Sequence, residues 1–112
     1  MSTLENLKEV IVNRQSISFE YIKENKIRGK RTGNPHAVFP LKSKNGERSI
    51  KVHIFQTDGV SDSKDENPLP EFRMFDLDYI SGVSLIEGVA SFTPSDKYNP
   101  SWEGYAEAIV KI

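Results

Sequence analysis

Cysteine is absent from this 112-residue chain, which excludes disulfides, thiolate metal sites and a cysteine nucleophile. Histidine is scarce: His36 and His53 are the only two, too few for a histidine-built zinc site, although mixed ligation with carboxylates stays open on sequence alone. No apolar run approaches the roughly 20 residues that cross a bilayer as a helix. The opening MSTLENLKEV lacks the basic and then apolar segments of a secretory signal, so a cytoplasmic, non-membrane protein is expected. Charge of one sign does not dominate either, since the net charge is −1. That average hides an asymmetry: residues 1–58 carry a net +5 and residues 59–112 a net −6. A basic first half offers phosphate-attracting surface, unless the strands interleave the halves and cancel the field. The known catalytic signatures are missing too. There is no G-x-S-x-G, no Walker loop and no H-E-x-x-H, so no enzyme, cofactor or metal site is expected.

What is present reads as one domain. A helix is expected over residues 2–12, because Ser2 and Glu5 form a capping box and Leu4, Leu7 and Ile11 line one face. After Asn13 the period becomes two: Ile17, Phe19 and Tyr21 alternate with Ser18, Glu20 and Ile22, as in a half-buried strand. Lys23–Gly33 reads as a polar hairpin loop with the start of the next strand. Ala37–Leu41 reads as a short strand at an edge or bulged position, since Pro35 and Pro40 cannot donate to a ladder. Asn45-Gly46 signals a type I′ turn, after which Ile50, Val52 and Ile54 alternate with Lys51, His53 and Phe55. Residues 58–70 form a loop longer than the usual ~4–6 residues. Phe72–Leu77 and Val83–Ile86 are two further strands. One helix (1–13), about five short strands (15–92) and a tail (93–112) packing on them describe a mainly β, SH3/Sm-like barrel.

A series of pieces in order carries a family resemblance. These are the strand Ile17-Ser18-Phe19-Glu20-Tyr21, the pair Pro35-His36, and Asn45-Gly46 leading to Phe55-Gln56-Thr57-Asp58-Gly59. Ser61-Asp62-Ser63-Lys64, the strand Phe72-Arg73-Met74-Phe75-Asp76-Leu77-Asp78-Tyr79-Ile80 and Tyr98-Asn99-Pro100 complete it. Together they resemble the WYL domain family in its compact, stand-alone form. The tripeptide that names the family would fall at Arg48-Ser49-Ile50, where only the aliphatic third position is kept. The resemblance implies a Sm-like barrel acting as a regulatory sensor, with no chemistry of its own. It also implies a ligand that is single-stranded nucleic acid or small and anionic, held by polar and basic residues on the outer face. One helix leaves no room for a helix-turn-helix.

Several residues are candidates for that binding. Lys51, His53 and Phe55 share a strand face, and a cation, an imidazole and a ring suit a phosphate with a stacked base; an ordinary solvated face has the same pattern. His36 is either a phosphate donor or a structural hydrogen bonder in its proline turn. Arg73 presents a guanidinium fork to a ligand, or pairs with Glu20 or Asp76. Tyr21 ends a core-facing row, with its hydroxyl at the rim. Gln56 flanks Gly59 with Thr57, Ser61 and Ser63, although the acids nearby favour a solvated loop. Asp76 and Asp78 lie on one strand face, where Asp78 is expected to cap the turn. The cluster Lys26, Arg28, Lys30 and Arg31, preceded by Lys23, either tracks a nucleic-acid backbone or keeps a hairpin tip soluble. Two other functions are open: a protein–protein or homo-oligomeric module using Tyr98, Trp102 and Tyr105, and a small-molecule sponge.

Overall fold

The structure, a computed structural model, describes residues 2–24, 26–42, 44–60 and 68–112. The expected segment Ser61–Lys64, with Asp65 and Glu66, lies outside them. The helix α1 spans Thr3–Val12, and the Ser2 Oγ accepts from the Glu5 N–H at 3.1 Å as the capping box requires. It buries Leu7, Val10 and Ile11, and Arg14, at φ 53°, turns the chain out of the helix. Alternating side chains then form β1 (Ile17–Tyr21), β2 (Lys30–Lys42), β3 (Arg48–Gly59), β4 (Glu71–Asp76), β5 (Ile80–Leu85) and the short β6 (Val110–Lys111).

The six strands make one antiparallel sheet in the order β4-β3-β2-β1-β5, with β6 paired to β2. The sheet is open. β4 and β5 are joined through a single 3-10 turn, Leu77–Tyr79, and no ladder between them is present among the described residues. Across this gap the Tyr21 hydroxyl accepts from the Asp76 N–H at 2.9 Å.

Two expectations are corrected here. β2 is not short: it runs from Lys30 to Lys42 and lies between β1 and β3. Of the edge and bulged positions expected from its prolines, the bulged one holds, because Pro35 sits at a register shift against β3, where a missing N–H breaks no regular rung. β1 pairs with β2 only as far as Gly33, and β6 takes the same side at Ala37 and Val38. Gly33 is obligatory at this bend, since a Cβ would meet Ile54 Cγ2 at 2.7 Å and the Phe55 carbonyl at 2.8 Å. The second correction concerns Asn45-Gly46. The hairpin closes at Lys42↔Arg48, leaving five loop residues, and of the pair only Gly46 has positive φ, 87°. A two-residue type I′ turn is thus replaced by a wider loop.

The sheet is covered on both faces. One face packs on α1 through Ile17, Phe19, Tyr21, Val38, Val52, Ile54, Phe75 and Ile80; each such side chain removed from water contributes roughly 1.5–3 kcal/mol. The other face carries Ala37 and Phe39, against which the C-terminal segment lays Tyr98, Tyr105 and Ala108. The segment is pinned by the Ile109 N–H donating to Val38 O at 2.8 Å and the Ile112 N–H to His36 O at 3.1 Å. The tail therefore spreads over a sheet face and contributes a strand. No helix among the described residues is long and apolar enough to cross a membrane.

Candidate functional site

The row Lys51, His53 and Phe55 does share one face of β3, opposite Asp76, Met74 and Phe72 of β4. The C-terminal segment folds onto this row and builds an aromatic box around His53. Its ring lies 4.8 Å from Phe39, 5.5 Å from Trp102 and 5.6 Å from Tyr105 between centroids. Phe72 and Tyr98 extend the wall, 6.4 Å apart. A cavity of about 280 Å³ opens here, lined by His53, Phe72, Lys97, Tyr98, Asn99, Trp102 and Tyr105. Two walls come from the sheet and the rest from the tail, so the site exists only when the tail is docked.

The polar groups of the box are paired with one another or with the backbone. The Tyr105 oxygen lies 2.6 Å from His53 Nδ1, and this is the hydroxyl's hydrogen bond among the described residues. A hydroxyl both donates and accepts, so this bond is compatible with either neutral tautomer of the ring. Burial, with a smaller contribution from His36, lowers the His53 pKa to about 4, so the imidazole is neutral at pH 7. Burial, reinforced by Tyr98, pushes the Tyr105 hydroxyl up to about 12. Lys97 Nζ donates to Glu71 Oε2 at 2.8 Å. The Asn99 Oδ1 accepts the Ser101 N–H at 3.1 Å, which fixes the amide orientation. Trp102, 36% exposed, folds its six-membered ring over Gly104, where a Cβ would stand 2.3 Å from Cη2 and Cζ3.

The chain matches no protein-family model and no curated protein.

His36 is fully buried behind this box. Its Nδ1–H donates to Asn34 O at 2.7 Å and its Nε2 accepts from the Ser95 N–H at 3.1 Å; only a neutral ring does both. Burial lowers its pKa against the opposing pull of Asn34. Stacked on Phe92 at 5.1 Å, His36 clips the tail to β2.

The other expected residues lie elsewhere. Lys51 and Lys23 both donate to the Asp76 carboxylate. Burial alone would raise the Asp76 pKa, but these two hydrogen bonds and their charges lower it. Tyr21 is buried at this rim with its ring 4.8 Å from Phe75. Arg73 lies on the α1 side of β4, in register with Ile54, and its Nη1 donates to Phe72 O at 3.4 Å. Thus Lys51 and His53 share a face that Tyr21 and Arg73 do not. Asp76 is the anion between two lysines, and Asp78 sits in the 3-10 turn. Gln56 is fully buried; its Nε2 donates to Asp58 O at 3.1 Å and Val60 O at 2.7 Å, pinning the strand end. In the basic cluster Lys26, Arg28 and Lys30 are exposed. Arg31 is 2% exposed, its guanidinium 5.6 Å from Tyr21 and 5.4 Å from Phe75, and Nη2 donates to Ile27 O at 3.0 Å. It belongs to the core.

Two other cavities have different walls. A groove of about 480 Å³ runs along β1 and β5, bordered by Glu20, Lys30, Ser84 and Glu87. A smaller apolar one, about 260 Å³, lies between α1 and β5. Among the described residues no group of three or more His, Asp or Glu side chains is placed to hold a metal. Sequence reasoning picked out His53 but missed Phe72, Lys97 and Asn99 as its companions. The aromatic spacing Tyr98, Trp102, Tyr105 was visible and was read as an interface.

Proposed function

We propose that this chain is a non-catalytic, WYL-like ligand-binding module whose sheet curls as an SH3/Sm-like roll, acting in the cytoplasm to regulate a partner. Its ligand is single-stranded nucleic acid or a nucleotide-type molecule, held by a base in the His53 box. The observation that carries the reading is the box itself, a cavity of about 280 Å³ walled by Phe72, Tyr98, Trp102, Tyr105 and a neutral His53. Its walls are stiffened by edge-to-face packing, such as Trp102 against Tyr105 at 5.0 Å. Aromatic walls that already have partners lose little entropy on binding, and a base stacked on such a wall gains about 1–3 kcal/mol. Lys97 at the rim supplies the matching charge for a phosphate.

The chain contains one tryptophan, and it lines the box. Stacking of a base therefore quenches the whole indole emission. We expect quenching of Trp102, and rising anisotropy of labelled short single-stranded DNA or RNA at low salt, both abolished in Phe72→Ala. Neither signal at high micromolar protein would defeat the reading.

A further inference from the structure

We infer that the groove along β1 and β5 docks an extended basic peptide, which pairs its backbone with the open edge of β5 and lays an arginine side chain into the groove. This site shares no residue with the His53 box and does not depend on what that box holds.

The strand β5, Ile80-Ser81-Gly82-Val83-Ser84-Leu85, contains neither a charge nor a proline, the residues that commonly guard an edge strand against pairing with another chain. The opposite edge, β4, carries Glu71, Arg73 and Asp76. β5 has only a bulge, where the register shifts opposite Phe19 and Gly82 takes φ 62°. Beyond the bulge the ladder is regular. Ser18 faces Ser84, Ile17 faces Leu85, and the Ile86 N–H donates to Ser16 O at 3.2 Å. Backbone groups in an antiparallel pair alternate between inward and outward, so the N–H and C=O of Leu85 point away from β1. No strand lies on that side among the described residues, which leaves room for an added chain.

The groove, about 480 Å³, dictates the chemistry of that chain. Ser18 and Glu20 alternate with the core residues Ile17, Phe19 and Tyr21, so they face away from α1; Ser84 stands opposite Ser18 and Lys30 opposite Glu20. Ser18 is only 5% exposed, yet its hydroxyl has no hydrogen-bond partner among the described residues. A buried polar group of this kind gains from a donor brought by a ligand. Glu20 and Glu87 are exposed and form no ion pair among the described residues. Two carboxylates against the one ammonium of Lys30 leave the groove negative. Acceptors from Ser18, Glu20 and Glu87 suit a guanidinium, whose five N–H donors fan out in a plane. From an added strand, β1 is two strand spacings away, or roughly 9.5 Å. Gly82 and Ser84 keep the path over β5 low, and an arginine with a hydrogen bond at its end spans it. The next residue of the peptide points to the other side of the sheet, where Val10, Val83 and Leu85 line the smaller cavity and receive an aliphatic side chain.

The test is the anisotropy of a labelled eight-residue peptide in which arginine alternates with valine, titrated with the full chain. Three controls are the same peptide with citrulline for arginine, the same peptide N-methylated along its backbone, and free argininamide as a competitor. We expect only the parent peptide to bind. Its affinity should fall about tenfold or more in Glu20→Gln with Glu87→Gln, as for lost charge-assisted hydrogen bonds. In Ser18→Ala it should fall about threefold or more, an effect that diffuse attraction to a negative surface lacks. Circular dichroism checks that both variants stay folded, and Trp102 emission should not respond. No binding at millimolar peptide, equal binding of the citrulline or N-methylated peptide, competition by argininamide at equal concentration, or unchanged binding in both variants would overturn the inference. So would quenching of Trp102, which would move the peptide to the box, or a dimer in light scattering that the peptide fails to dissociate, which would give the edge to a second copy.

Discussion

Lowering the pH from 7.5 to 5 should loosen this protein through its two histidines, well before its carboxylates titrate. His53 sits in the box with a pKa of about 4 against an ordinary 6.5, chiefly because burial penalises the imidazolium. The sign follows from where protons bind. Above pH 6.5 the ring is neutral in folded and unfolded chains alike, and His53 makes stability independent of pH. Below 6.5 the unfolded chain takes up a proton that the folded chain refuses until about pH 4. The unfolded state gains accordingly, and the loss approaches 1.4 kcal/mol per pH unit within that window. By pH 5 this amounts to about 2 kcal/mol from His53. His36 adds to it with the same sign, since its pKa is also lowered and its Nε2 must stay unprotonated to accept from Ser95.

Urea unfolding at pH 7.5 and 5, followed by circular dichroism, measures the difference. The matched control is the double variant His53→Phe with Tyr105→Phe. It removes both ends of the 2.6 Å hydrogen bond, so no orphaned hydroxyl is left behind. The double variant should lose about 2 kcal/mol less than the parent over the same interval. Equal losses in the two proteins would refute the argument that a buried, neutral His53 holds the tail.

Three shorter predictions probe other parts of the fold. In Gly104→Ala the new methyl occupies the place of the Trp102 ring, 2.3 Å from its Cη2. The indole must swing out, so its emission should shift to the red and ligand quenching should vanish while circular dichroism is kept; an unchanged emission spectrum would contradict this. Arg31→Ala should cost about 2–4 kcal/mol in urea unfolding, as for a large core side chain, because the guanidinium is packed against Tyr21 and Phe75; a change within experimental error would return Arg31 to the surface cluster. Binding of a short single strand should fall with salt at a slope near −0.7, the value for one phosphate contact, and survive Lys26→Glu with Arg28→Glu and Lys30→Glu. A slope near −2 that disappears in this triple variant would transfer the site to the basic cluster.

The parts of this fold that could be read from sequence are those set within a few residues. Ser2 and Glu5 announce the first turn of α1, and the alternation through Ile17, Phe19 and Tyr21 identifies a strand with one buried face. The alternation at Lys51, His53 and Phe55 likewise placed three side chains on one face. What that face touches was not local information. Phe72 comes from the neighbouring strand, and Tyr98, Trp102 and Tyr105 from a tail more than 40 residues beyond His53, so no periodicity links them. The basic run was misleading for a different reason. Lys26, Arg28, Lys30 and Arg31 look alike as charges, but β2 begins inside the run and alternation sends Arg31 inward onto two aromatic rings while Lys30 stays in water. The prolines were legible only as a choice between an edge and a bulge, and the register shift at Pro35 decides for the bulge. His36 and His53 show how far tertiary placement goes beyond composition. A single residue type gives one ring held between the Asn34 carbonyl and the Ser95 N–H, a clip with both nitrogens occupied, and one paired through Nδ1 with the Tyr105 hydroxyl in the wall of an aromatic cavity.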